Sequence, residues 1–112
     1  MKFEQIIERI ISINHAWKLA RDDFGKNSPI TISLREQKSS WQANLLRFYP
    51  EASYLALATD SGAHDEDLYS VRLNKPVKTS IGLKNDAEHI PKRLAESLFT
   101  NQELNKYFNK DV

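Results

Sequence analysis

"ITISLREQKSSWQANLLRFY", residues 30–49, decides how the layers of this chain are counted. Its opening alternates Ile30, Ile32 and Leu34 against Thr31, Ser33 and Arg35 with β-branched side chains prominent, so residues 30–36 predict a strand with one buried face. "EQKSS", 36–40, follows as a turn. "WQANLLRFY", 41–49, admits two readings. Trp41, Leu45, Leu46, Phe48 and Tyr49 share one broad helical arc that Ser40 could cap, whereas Trp41, Ala43 and Leu45 would line one face of a strand. The helical reading is preferred. Pro50 ends the element either way, because proline disfavours helical geometry at the residue before it and supplies no ladder donor.

Upstream, Phe3, Ile6, Ile7, Ile10, Ile13, Trp17, Ala20 and Phe24 recur at steps of three and four, with Glu4, Glu8, Arg9 and Lys18 mostly off that stripe. This predicts an amphipathic helix closed at Gly25, where a left-handed cap costs no Cβ clash. Downstream, "SYLALAT", 53–59, is a continuous apolar run, as expected of a central strand covered on both faces. "LYSVRLN", 68–74, reads as its antiparallel partner, and "VKTSIGLK", 77–84, as a further alternating segment, with a turn or bulge at Pro76.

The C-terminus predicts two short helices. "IPKRLAESLF", 90–99, places Pro91 at a first helical position, with His89 in the loop before it, and "TNQE", 100–103, has the spacing of a capping box. Helices flank the strands and do not alternate with them. The expected fold is therefore α+β, an antiparallel sheet of about four strands with the N-terminal and C-terminal helices packed on one face. At 112 residues the chain has the size of a single domain, 1–112.

Composition narrows function mainly by exclusion. Sixteen basic against fifteen acidic side chains leave a net charge of +1, too little for a global field that draws nucleic acid or an anionic membrane. Without cysteine there are no disulfides, no thiolate catalysis and no cysteine-ligated zinc, which favours a cytoplasmic location. "MKFEQIIERIISIN" interrupts its apolar residues with Glu4, Glu8 and Arg9, so no signal peptide or membrane span is expected there. His15, His64 and His89 are scattered over different elements, and neither a nucleophile elbow nor a glycine-rich phosphate loop is present. No cofactor is implied.

One run stands apart. Between Asp60 and Asp67 lie four acids and no lysine or arginine, whereas residues 68–85 hold Arg72, Lys75, Lys78 and Lys84 and no acid. Such segregation steers association with a complementary surface. The expected function is a small non-enzymatic protein-binding module, an inhibitor or immunity protein acting on a toxin or enzyme domain. Its expected partner-binding residues are Asp60, His64, Asp65, Glu66, Asp67, Arg72 and Trp41. Two alternatives remain. A metal-assisted hydrolase would centre on His64 with Asp60, Asp65 and Asp67, although Ser61, Gly62 and Ala63 break the ligand alternation of a calcium loop. A weak nucleic-acid binder would use the basic stretch, which lacks interleaved aromatics.

Overall fold

The computed structural model describes residues 1–58 and 66–108. Two long helices come first, α1 (Phe3–Phe24) and α2 (Pro29–Phe48), joined by a turn at Gly25 whose φ is +90°. Three antiparallel strands follow, β1 (Ser53–Leu57), β2 (Leu68–Thr79) and β3 (Gly82–Pro91), and then α3 (Lys92–Leu98) and α4 (Asn101–Phe108). The described residues form an α+β fold of four helices and one sheet of order β1-β2-β3.

The expected strand at 30–36 is instead the first two turns of α2, and the "EQKSS" turn is its middle. Proline at the first helical position presets φ there, and residues 34–47 are rich in Leu, Arg, Glu, Gln, Lys and Ala, all good helix formers. The alternation of Ile30 and Ile32 carried no burial: both are about half exposed, at 50% and 44%. What α2 buries is Thr31, Lys38, Ser39, Gln42, Ala43, Leu45 and Leu46, a helical stripe that is polar over its first half. The Trp41 segment is helical, as preferred, and ends ahead of Pro50.

Register places Leu55 opposite Val71, Ser53 opposite Leu73 and Tyr69 opposite Ile90. This one face of the sheet packs with Ile6, Ile7, Ile10 and Ile11 of α1, Ala43, Leu45 and Leu46 of α2, and Ala95, Phe99 and Tyr107 of the C-terminal helices. The β1 strand is an edge, contrary to the central position expected of its apolar run; Leu57 at its end is 75% exposed. Nor is 77–84 a separate strand: it comprises the end of β2, the turn and the start of β3, which makes three strands where about four were expected. The register slips between Arg72 and Val77, in the span containing Pro76, as a residue without a ladder donor requires.

Three polar devices fix the layers. The carboxylate of Glu8 accepts from the backbone N–H and the hydroxyl of Ser80, both at 2.7 Å, which fastens the β2–β3 turn to α1 and lowers the Glu8 pKa. Glu88 adopts φ +67° where β3 carries an extra residue between Asp86 and His89, and Gln42 Nε2 donates to the carbonyls on either side, Ala87 at 2.8 Å and His89 at 3.2 Å. His89 therefore lies in β3 and not in a loop. The predicted capping box is formed: Glu103 N–H donates to Thr100 Oγ1 and Thr100 N–H to Glu103 Oε1. Arg47 then grips Glu103 with Nε at 2.8 Å and Nη2 at 3.1 Å, while Nη2 also donates to the Leu98 carbonyl, so α2 holds both C-terminal helices.

Candidate cationic cleft at Trp17

The polar half of α2 faces the second half of α1. Each turn of α1 brings one residue to that contact: Asn14, then Trp17, then Arg21. Lys38 is 3% exposed and donates to Asn14 Oδ1 at 3.0 Å, with its ammonium 4.6 Å from the centre of the Trp17 ring. The guanidinium carbons of Arg35 and Arg21 lie 4.7 and 4.9 Å from the same ring. One indole thus carries three cations. The negative face of an aromatic ring attracts each of them, although their mutual repulsion offsets part of that gain.

That repulsion is visible at Lys38. Burial away from water, reinforced by Arg35, Lys18 and Arg21, holds its pKa down to about 8 from the ordinary 10.5, and only the Glu88 carboxylate acts the other way. Burial of a charged group beside like charges is costly, so such clusters are more frequent at sites that bind than in frameworks.

Above Trp17 opens a cleft of about 430 Å³ between the α1–α2 turn and α3. Among the described residues, Arg21, Lys26, Arg35 and Arg93 line it together with the carboxylates of Glu36 and Glu66, and Arg21 Nε pairs with Asp22 at 3.3 Å. Thr31, 1% exposed, also lines it, and its Oγ1 has no hydrogen-bond partner. A helical threonine ordinarily returns its hydroxyl to a carbonyl one turn back, and a buried hydroxyl without such a bond costs some stability. Guanidinium groups stay charged at any physiological pH and offer planar forks of donors, so the cleft can bind and orient an oxyanion but has little to offer as a proton shuttle.

The residues expected from sequence fall in different places. Asp60, His64 and Asp65 lie outside the described residues. Glu66 sits on the cleft, its carboxylate bound by Arg93 at 2.7 Å, and the Asp67 carbonyl accepts from the Lys92 N–H at 3.0 Å. Arg72 is exposed on β2 opposite Tyr54 and Asp86, on the sheet face away from the helices. Trp41 is half-buried on α2, packed on the core with Arg9 5.4 Å from its ring. Of these four, Glu66 alone lines the cleft, and Arg72 and Trp41 do not converge on it. Sequence reasoning missed the cleft because its cations come from residues 21, 26, 35 and 93, each unremarkable alone; the only local signal was the polar spacing Thr31, Arg35, Lys38, Gln42.

Among the described residues, no group of three or more His, Asp or Glu side chains is placed to hold a metal ion, and no helix is long and apolar enough to cross a membrane. No protein-family model, curated protein or solved structure matches this chain.

Proposed function

We propose that this protein is a non-enzymatic binding module whose cleft at Trp17 receives an anionic group presented by another protein. An inhibitor or immunity protein acting on a toxin or enzyme domain is the concrete form of this reading. The observation that carries it is the convergence of Arg21, Lys26, Arg35 and Arg93 on one cleft, where the described carboxylates are Glu36 and Glu66 on the lining, the latter tied to Arg93, and Asp22 beside Arg21. Complementary charge of this kind accelerates encounter and rejects partners of the wrong sign. Of the acidic run, Glu66 is engaged within the chain by Arg93. A nucleic-acid strand is a poorer fit, because base stacking needs an open ring face and Trp17 is buried beneath its own cations.

Affinity capture from the native cells tests this, comparing the wild type with the double variant Arg21→Glu, Arg93→Glu after nuclease treatment. A protein retained by the wild type and lost by the folded double variant supports the reading. The same set of captured proteins in both removes it, as does capture that nuclease abolishes.

A further inference from the structure

We infer that residues 77–84, the outer end of the β2–β3 hairpin, form a hinged arm that Glu8 clasps to α1, and that breaking the clasp frees the arm while the domain stays folded. This goes beyond the cleft at Trp17 and does not depend on it. The hinge is visible in the strand pairing. On the β1 side the register ends at Ser53 opposite Leu73, with the Asn74 N–H donating to the Ala52 carbonyl at 3.0 Å. On the β3 side Arg72 faces Asp86 and the next pair is Val77 with Lys84, so Leu73 to Pro76 lie opposite Asn85 alone. Lys75 and Pro76 therefore pair with neither neighbouring strand. Beyond them the hairpin continues through Val77–Lys84, Lys78–Leu83 and Thr79–Gly82, with no third strand beside it. A two-stranded ribbon is marginal in water and takes its stability from what it leans on.

This arm leans on little. Of its apolar side chains Val77 packs against the core, whereas Ile81 and Leu83 are 65% and 75% exposed. Among the described residues, the polar contacts that leave the arm are at its base and its tip. At the base Lys84 reaches along its own strand to Asp86 and Glu88, which ties it to β3 and leaves the tip unheld. At the tip both oxygens of the Glu8 carboxylate are engaged, Oε1 by the Ser80 N–H and Oε2 by the Ser80 hydroxyl, each at 2.7 Å. Bonds to an ionised acceptor are the strong kind, and these two end on one residue, so they form and break together. A base that can bend and a tip held at one point make a hinge, in which a few residues between elements absorb the motion. Because the arm carries Ile81 and Leu83, the clasp sets how far from α1 these exposed side chains reach.

The chain has no cysteine, so paired spin labels can be introduced without background. Leu83→Cys labels the arm, and Phe24→Cys, at a position 64% exposed, labels the far end of α1, about 24 Å along the helix from Glu8. A reference pair, Phe24→Cys with Leu57→Cys, leaves the arm unlabelled. Dipolar distance measurement with Glu8 and Ser80 intact should give one narrow arm distance, with an open form populated below about 10%. Glu8→Ala should raise that open fraction at least about fivefold, because both bonds are lost. Ser80→Asp should do the same by setting two carboxylates against each other, and Ser80→Ala, which keeps the backbone bond, should fall between. The reference distance should stay narrow throughout. An arm distance unchanged in Glu8→Ala and Ser80→Asp overturns the inference, and so does one already broad with the clasp intact. Broadening of the reference pair together with the arm pair also overturns it, since Glu8 would then hold the whole framework and not an arm. If Glu8→Ala fails to fold, Ser80→Asp and Ser80→Ala carry the same comparison.

Discussion

The hairpin of α1 and α2 has two ends of opposite character. At one, Ile6, Ile7, Ile10 and Ile11 meet Ala43, Leu45 and Leu46 over the sheet, all of them buried. At the other, Asn14, Trp17 and Arg21 meet Arg35 and Lys38, an end filled with charges and donors that also holds the buried Thr31. The first end supplies stability, because each large aliphatic side chain removed from water contributes about 1.5–3 kcal/mol. The second spends some of it, since a buried ammonium and a partnerless hydroxyl are both worse placed here than in water. A helix pair has no need of such an end for folding. Its place beside the cationic cleft is what the proposed binding role rests on.

The largest test of the contrast is a pair of substitutions, one at each end. Ile10→Asp puts an unpaired carboxylate where the exposure is 0% and should cost more than about 4 kcal/mol, enough to abolish folding. Thr31→Val at the polar end removes a hydroxyl that lacks a partner and should leave stability unchanged or raise it by up to about 1 kcal/mol. Urea unfolding of both variants measures this. A large loss from Thr31→Val would mean that the polar end is framework after all.

The next test uses base. In the folded chain Lys38 has a pKa of about 8, below its ordinary 10.5, so its charged form is penalised by folding. The penalty is fully present below pH 8 and is relieved as pH rises from 8 towards 10.5, because the unfolded chain then binds more protons than the folded one. Stability should therefore climb with pH across this window, by up to about 3 kcal/mol if the whole shift is expressed. Lys38→Met should flatten that climb. Measurements between pH 7.5 and 9.5 stay clear of Tyr107, whose raised pKa acts in the opposite sense at higher pH. An unaltered slope in Lys38→Met would assign the climb to another group.

Acid probes the other end more gently. Hydrogen bonding from Arg47, and then from the Thr100 backbone, holds the Glu103 carboxyl down to about 2 from the ordinary 4.5. The sign is reversed here: the contribution is complete above pH 4.5 and is lost as pH falls towards 2. With the pair partly exposed to solvent and screened, its worth is on the order of 1 kcal/mol. Thermal melts of Glu103→Gln between pH 5 and 2.5 should show a shallower loss than the wild type. Parallel curves would mean that the Arg47 clamp contributes nothing measurable.

How far the fold was legible follows from whether each burial pattern was apolar and local. The stripe from Phe3 to Phe24, the antiparallel pairing of 53–57 with 68–73, the irregularity around Pro76 and the Thr100 to Glu103 box could all be read, because each is a short-range pattern with its own physical cause. The first half of α2 could not be. Hydrophobic periodicity assumes that the buried face is the apolar one, and there the apolar Ile30 and Ile32 point to solvent while Thr31 and Lys38 point inward. Glu8 was likewise read as a bystander on a polar face; its Ser80 partner is 72 residues away.

By itself, then, the order of side chains determined an α+β composition, the N-terminal helix, the hairpin partners and the Thr100–Glu103 capping box, since these depend on neighbours within a few turns or across one loop; Pro91, expected at a first helical position, instead ends β3 as the residue before α3. Only the tertiary structure decided that residues 30–36 are helical, that β1 is an edge, and that Arg21, Lys26, Arg35 and Arg93 share one cleft over Trp17. The reason is that charges on separate segments acquire a common field only when packing brings them within a few ångströms of one another. Nothing in the linear spacing of residues 21, 26, 35 and 93 encodes that distance; the polar face of α2, laid against α1, does.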